Sequence, residues 1–221
     1  MTREHISLIL VILYSYFRSS ASWRVRIALA IKDINYEYKA VHLVKDGGQQ
    51  HSEEYKRLNP MEQVPTLVID GHTLTQSLPI IEYLEERNPE PPLLPKDSFG
   101  RAQVRALSEL INSGIQPLQN STVLEKVGDG KEEWARSFIV KGFQALETLL
   151  KQTSGKYSYG DTVTMADLCL VPQMFAAKRF KVDLEPFPTI CRVHDALAEL
   201  SAFKAADASN QPDTPDELRS T

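Results

Sequence analysis

Between Asn88 and Pro95 the chain reads Asn-Pro-Glu-Pro-Pro-Leu-Leu-Pro, and neither a helix nor a strand continues through such a run. Each proline lacks the N–H that a helix or a sheet ladder needs, and its ring restricts the residue before it. The run therefore divides the sequence into two parts, 1–88 and 97–221, with 89–96 as the linker between them. Each part must find its own regular structure, and the two differ in pattern.

Before the break, strand and helix signals alternate. Ile6–Tyr16 reads as a buried strand, Phe17–Ser22 as a small polar turn, and Trp23–Lys32 as a helix packed on a sheet. Tyr36–Val44 reads as a second strand, parallel to the first if the crossover is right-handed. A short polar helix over Ser52–Leu58 follows. Thr66–Ile69 and Thr73–Thr75 form a hairpin through Asp70-Gly71. Ser77 is placed to cap a helix that runs to about Arg87. The order is β-α-β-α-β-β-α.

After the break the apolar period is helical. Val104, Leu107 and Leu110 with Ile111 make one stripe, Trp134, Phe138, Ala145 with Leu146 and Leu149 a second, and Ile190, Val193, Leu197 and Leu200 a third. Thr164-Met-Ala-Asp167 has the form of a capping box, a folding element rather than a catalytic acid. The polar, proline-bearing tail Gln211–Arg219 is expected to be loosely held. The fold class expected is an α/β domain followed by an all-α bundle.

Composition narrows the function. A length of 221 residues fits one large domain or two small ones, and a net charge of -4 argues against a general nucleic-acid binder. The two cysteines, Cys169 and Cys191, are too few for a disulfide scaffold or a cysteine-built zinc site. No apolar run reaches the ~18 residues of a membrane span. The histidines (His5, His42, His51, His72 and His194) show no ligand spacing, so no metal is expected. Ile6–Leu13, after Arg3 and His5 and before Ser19–Ser22, imitates a short secretory signal with a cleavage-like site near Ala21. Cleavage there would destroy the serine-bearing loop, which favours the strand reading.

Three places could carry chemistry. Ser19 and Ser20 precede a helix, where unpaired N–H groups and the dipole favour an anion; serines there also serve as plain caps. Val64-Pro65 opens a strand; a cis bond would leave the Val64 backbone as an edge for an extended peptide, and an ordinary trans turn is the alternative. Gln76-Ser77 stands at the third helix, where Ser77 could hold a carboxylate or simply cap. Together they suit a small peptide with a carboxylate at one end and a reactive sulfur at the other.

Tyr14-Ser-Tyr-Phe-Arg-Ser-Ser-Ala-Ser-Trp-Arg-Val-Arg-Ile-Ala-Leu29 resembles the active-site segment of zeta-class glutathione transferases. So do Lys45–Gln50, Leu58-Asn-Pro-Met61, Gln63-Val-Pro-Thr-Leu67, Gly114–Asn120, Arg179-Phe-Lys-Val-Asp-Leu184 and Gln211-Pro-Asp-Thr-Pro215, in register over almost the whole chain. The resemblance implies a thioredoxin-like glutathione-binding domain followed by a helical domain, and a homodimer in the cytoplasm, with a mitochondrial pool compatible. It implies that Ser19, with Ser20, stabilises the glutathione thiolate, and that Ser20, Ala21, Ser22, Trp23 and Arg24 line the same pocket. Gln50 and the Val64 backbone would contact the peptide, before a cis Pro65, and Gln76 and Ser77 would hold its γ-glutamyl end. Gln116, Asn120, Ser121 and Thr122 would reach the ligands from the helical domain.

The activity implied is glutathione-dependent cis–trans isomerisation of 4-maleylacetoacetate in tyrosine and phenylalanine breakdown, with transferase activity on small α-halo acids. The substrate is a dicarboxylate, so cations are expected near it. Arg179 is the first candidate, with Arg18, Arg24 and Arg26 behind it. A small arginine-bearing pocket argues against a general conjugating transferase. Asn120-Ser-Thr122 also spells a glycosylation sequon, which a cytosolic chain would leave unmodified. Two departures stand out: Ala21 where the family has cysteine, and the longer leader Met1–Val11. Ala21 is the one residue favouring the alternative of a non-catalytic binding protein of the same fold.

Overall fold

The computed structural model describes residues 10–219. A four-stranded sheet is built from β1 (Ile12–Ser15), β2 (Glu37–Ala40), β3 (Thr66–Ile69) and β4 (His72–Thr75), in the order β2-β1-β3-β4. β1 and β2 are parallel, as a β-α-β crossover requires; β3 runs antiparallel to both β1 and β4. Helices α1 (Ser20–Ile31), α2 (Glu53–Leu58) and α3 (Ser77–Arg87) complete the first half. The second half is helical: α4 (Ser98–Asn112), α5 (Ser121–Val127), α6 (Lys131–Thr153), α7 (Met165–Arg179), α8 (Pro188–Ala198) and α9 (Ser201–Ala206). Among the described residues, no helix is long and apolar enough to cross a membrane.

β3 spans the expected residues and β4 begins one residue early, whereas β1 and β2 are shorter than the sequence pattern suggests, because a ladder ends where its partner ends. The expected strand Ile6–Tyr16 begins only at Ile12, and its first part, Ile6–Ile9, lies outside the described residues. β2 stops at Ala40 rather than Val44, since β1 beyond Ser15 turns into a loop and offers nothing to pair with. In contrast, α1 starts at Ser20, three residues before the expected Trp23.

α1 is buried nearly all round, from Ser22 to Leu29, because it packs on α3 on one side and on α7 and α9 on the other. α7 is likewise buried along most of its length. These two helices join the halves in one apolar core. The linker is fixed to it by a buried ion pair, Lys32–Glu85 at 2.6 Å. Lys32 also donates to the Pro91 carbonyl, and Glu85 accepts the N–H groups of Leu93 and Leu94. Buried charges need such additional partners to offset their desolvation.

On α6 the buried face is Ala135, Ile139, Phe143, Leu146 and Leu150. Of the expected stripe, Leu146 lies on this face, whereas Trp134, Phe138, Ala145 and Leu149 each sit one position off it. Trp134 is exposed, with its indole N–H on the Leu118 carbonyl and its ring on Phe138. The capping box at the start of α7 is present: Thr164 and Asp167 bond reciprocally, and Asp167 also accepts the Ser158 N–H. The tail is not loose. Gln211 and Thr214 are buried, and Gln211 donates to the carbonyls of Ala205 and Asp207.

Glu147 of α6 supplies what α8 lacks, accepting the N–H groups of Thr189 and Ile190 at 3.1 and 3.0 Å. Burial pushes this carboxyl up, but those hydrogen bonds and nearby Lys151 outweigh it and hold it below its ordinary 4.5. A carboxyl depressed in the folded state contributes stability that is present above its ordinary pKa and lost as pH falls through the folded value. Glu147→Gln is therefore expected to be less stable than the parent chain at neutral pH. The gap between their urea midpoints should close as the pH is lowered from about 7 to about 3.

Candidate active site

The loop between β1 and α1 brings a hydroxyl to a helix N-terminus. Ser19 is the N-cap: its Oγ accepts the Ser22 N–H at 3.3 Å and its carbonyl accepts the Trp23 N–H at 2.9 Å. A hydroxyl that accepts one hydrogen bond still has its own proton to donate. Capping and anion binding are therefore compatible at the same atom. The N–H groups of Ser20 and Ala21 open the helix without intrahelical acceptors, and the positive end of the helix dipole lies there.

Arg26, one turn further on and 1% exposed, holds this loop from beneath. It donates to Ser15 Oγ, to the Tyr16 and Phe17 carbonyls, and to the Ala206 carbonyl. Burial lowers its pKa to about 10, which leaves it a cation at neutral pH.

A cleft of about 570 Å³ opens beside the loop. It brings together Ser19, Ala21, Gln50, Val64, Gln76, Ser77, Gln116, Asn120, Ser121 and Thr122 from both halves of the chain. The Val64–Pro65 bond is cis. Gln50 borders the cleft at 8% exposure, and its buried Oε1 has no hydrogen-bond partner within the described residues. Gln76, not Ser77, is the N-cap of α3, at φ 69 and with no side-chain cap bond. A left-handed conformation at a residue other than glycine costs of order 1–3 kcal/mol, and it turns β4 sharply into α3 at the cleft wall. Ser77 is the first helical residue, and its Oγ accepts a 3.1 Å hydrogen bond from Arg24.

A second, smaller cavity of about 140 Å³ adjoins the first. Ser19, Gln116, Asn120 and Ser121 border both; Ser20, Arg18 and Arg179 border the smaller one. Arg179 stands in the last turn of α7, and its pKa is pushed down by burial and by the neighbouring Arg18 cation. Neither arginine forms an ion pair among the described residues. Two guanidinium groups sharing one cavity, without an acidic partner, suit a ligand with more than one carboxylate.

Ser22, Trp23 and Arg24 do not line either cavity, contrary to the expectation from the motif. Residues 20–24 are helical, so successive side chains rotate around the axis and only the first face the cleft. Ser22 and Trp23 are buried, Trp23 with its ring edge-on to Phe175. Arg24 is fully buried and donates to Asn112 at the end of α4 as well as to Ser77. It is neither a solvated charge nor a substrate-facing one, and burial lowers its pKa. The structure adds Asn112 and Ser113 to the cleft wall, with His51 hydrogen-bonded to Glu62 at the opposite side. Asn59 and Gln63, which also border it, lie inside the quoted motifs; Asn112 and Ser113 have no local signal. No thiol of the chain borders either cavity, since Cys169 is buried in the core and Cys191 lies on α8. No cluster of metal-binding side chains occurs among the described residues.

Residues 13–92 match the family of the glutathione S-transferase N-terminal domain and residues 119–209 that of the glutathione S-transferase C-terminal domain. The chain is 59% identical to maleylacetoacetate isomerase of Rattus norvegicus over 209 residues, 94% of this chain and 97% of that one. Its structure is similar to that of maleylacetoacetate isomerase from Anaeromyxobacter dehalogenans 2CP-1 with glutathione bound in the active site. There the identity is 51%, the TM-score 0.86, and the coverage 94% of this chain and 99% of that one. The same protein has been solved with dicarboxyethyl glutathione and citrate in its active site. A bacterial zeta-class maleyl pyruvate isomerase is 43% identical, with a TM-score of 0.89, covering 92% of this chain and 100% of that one. Matched in both halves and alike in sequence along nearly its whole length, the chain belongs to the glutathione S-transferase family, in the zeta class with the maleylacetoacetate isomerases.

Proposed function

We infer that the chain is a glutathione-dependent isomerase that converts 4-maleylacetoacetate to 4-fumarylacetoacetate, and so serves tyrosine and phenylalanine breakdown. The observation that carries this reading is the adjacency of two cavities at Ser19. One is a polar cleft suited to a peptide; the other carries Arg18 and Arg179. The relatives named above support it, and the same pocket accounts for transferase activity on small α-halo acids. A non-catalytic role has only Ala21 in its favour.

Glutathione fits the larger cleft. The orphaned Gln50 Oε1 is an acceptor for an N–H or ammonium group of a bound peptide. In this reading Gln76 and Ser77, at the N-terminus of α3, hold the γ-glutamyl end, the Val64 backbone pairs with the cysteine residue, and Gln116, Asn120, Ser121 and Thr122 close the site. When bound, glutathione supplies the thiolate nucleophile for transient addition to the conjugated cis double bond. The protein's part is electrostatic and positional. The Ser19 hydroxyl and the first N–H groups of α1 favour the thiolate over a thiol whose free pKa is roughly 8.5, and Ser20 stands beside it. Arg179 and Arg18 orient the two carboxylates and stabilise charge as it develops.

The domains in this reading are 1–88 for glutathione, 89–96 as linker and 97–221 for the helical part. It is supported by the end of α3 at Arg87 and the start of α4 at Ser98. A cytoplasmic homodimer is part of the same proposal and rests on the family resemblance.

Turnover of maleylacetone, followed by ultraviolet absorbance, tests the reading. Ser19→Ala is expected to lower kcat by about 100-fold, the usual effect of removing one donor aimed at a reacting anion. An unchanged kcat would exclude the assigned role. Arg179→Gln should raise the KM for the dicarboxylate by about 10- to 100-fold while leaving glutathione affinity intact, and Arg18→Gln should act in the same direction. Ala21→Cys should change turnover by less than about fivefold, the worth of one weak hydrogen bond, because the hydroxyl and the helix N-terminus already hold the anion.

A further inference from the structure

The motif Gln211-Pro-Asp-Thr-Pro215 has no part in either cavity, yet it is built into the loop that carries Ser19. Asp213 Oδ2 accepts the Phe17 N–H at 3.0 Å, and Oδ1 accepts the Tyr38 hydroxyl of β2 at 2.6 Å. Phe17 is the second residue after β1, where the sheet ladder has ended and a backbone donor must find another acceptor. The Phe17 carbonyl meanwhile accepts Arg26 Nη2 at 2.8 Å. Both polar groups of this residue are thus held by side-chain partners, an acidic one on the N–H and a basic one on the carbonyl. Arg26 also donates to the Tyr16 carbonyl, which accepts the Ser19 N–H as well.

The tail is rigid enough to serve as an anchor. The Thr214 hydroxyl accepts the Gln211 N–H at 3.1 Å and donates to the Ala208 carbonyl at 2.6 Å. Arg26 Nε donates to the Ala206 carbonyl, so acid and base both tie the loop to the same C-terminal stretch. Burial, with the hydrogen bond to Asp213 next, keeps the Tyr38 hydroxyl protonated and a donor.

We propose that Asp213 is a positioning residue: through Phe17 it fixes the loop that aims the Ser19 hydroxyl, and the C-terminal tail is a strap for the active site. The kinetic consequence rests on the isomerase reading above; the structural one does not. A displacement of about 1 Å at a reacting group costs up to about 100-fold in rate, so a strap this far from the cleft in sequence still bears on turnover.

The test uses the full chain with Asp213→Ala, Asp213→Asn and Tyr38→Phe. Amide hydrogen exchange of the peptide spanning residues 16–19 should rise by about tenfold or more in Asp213→Ala, with exchange in α6 unchanged. The pKa of bound glutathione, read from thiolate absorbance, should rise by about one unit, and kcat on maleylacetone should fall by about 10-fold or more. Asp213→Asn, which keeps an acceptor for Phe17, should recover part of each effect, and Tyr38→Phe should show the smallest. A lowered unfolding midpoint with unchanged loop exchange and unchanged thiol pKa would overturn the proposal and leave the tail merely stabilising. If Asp213→Ala does not fold, unchanged loop exchange in both other variants overturns it equally. A parent chain that binds glutathione but does not isomerise would defeat the isomerase reading alone, since loop exchange and thiol pKa still decide the strap.

Discussion

A buried guanidinium held, among the described residues, by carbonyl and hydroxyl oxygens rather than by a direct carboxylate bond is the constraint around which the rest is arranged. Arg26 is 1% exposed, and burying an ion costs several kcal/mol unless its donors are all used. The oxygens it uses come from the end of β1, from the next two residues of the loop, and from the end of α9. Strand, loop and C-terminal segment must all be in place for those oxygens to meet at one guanidinium. The arginine therefore specifies the loop geometry as much as it stabilises it, and the serine that follows is placed as a result.

Arg24, two residues earlier, acts through Nη1 alone, and its Nε and Nη2 are buried without a hydrogen-bond partner among the described residues. It bridges Ser77 of the α/β half and Asn112 of the helical half. Both arginines lie on α1, which is enclosed by α3, α7 and α9. The helix whose N-terminus borders the cleft is thus also the helix that unites the two halves. A cleft formed where they meet inherits one wall from each, which is how it and the arginine-bearing cavity come to share Ser19.

The chemistry asks little of the protein beyond this. The nucleophile is borrowed, so the chain need only lower a thiol pKa and hold two carboxylates. Ala21 is consistent with that economy. It leaves both cavities without a protein thiol, so no side chain competes with glutathione for an electrophilic substrate.

Several local signals hold in the structure because the interaction behind each is itself local. The Asp70-Gly71 hairpin, the Thr164–Asp167 capping box and the break after Arg87 each involve residues within a few positions of one another. The motif around Ser19 placed the helix N-terminus at the cleft, and its hydroxyl proved to be a cap as well. A dicarboxylate substrate makes Arg24 and Arg26 candidate cations along with Arg18 and Arg179, but α1 is buried from Ser22 to Leu29 and both side chains are spent inside the fold. The α6 stripe slipped by one position because neighbouring faces both carry aromatics, and only the partner helices choose between them. Gln76 displaced Ser77 as the cap because the turn out of β4 is set by the sheet. The sequence by itself determined the order of elements, the family and the residues at the helix N-terminus. The tertiary structure decided what holds them. Asp213 meets Phe17 across 196 residues and Arg26 meets Ala206 across 180, and contacts that distant leave no period or spacing in the chain.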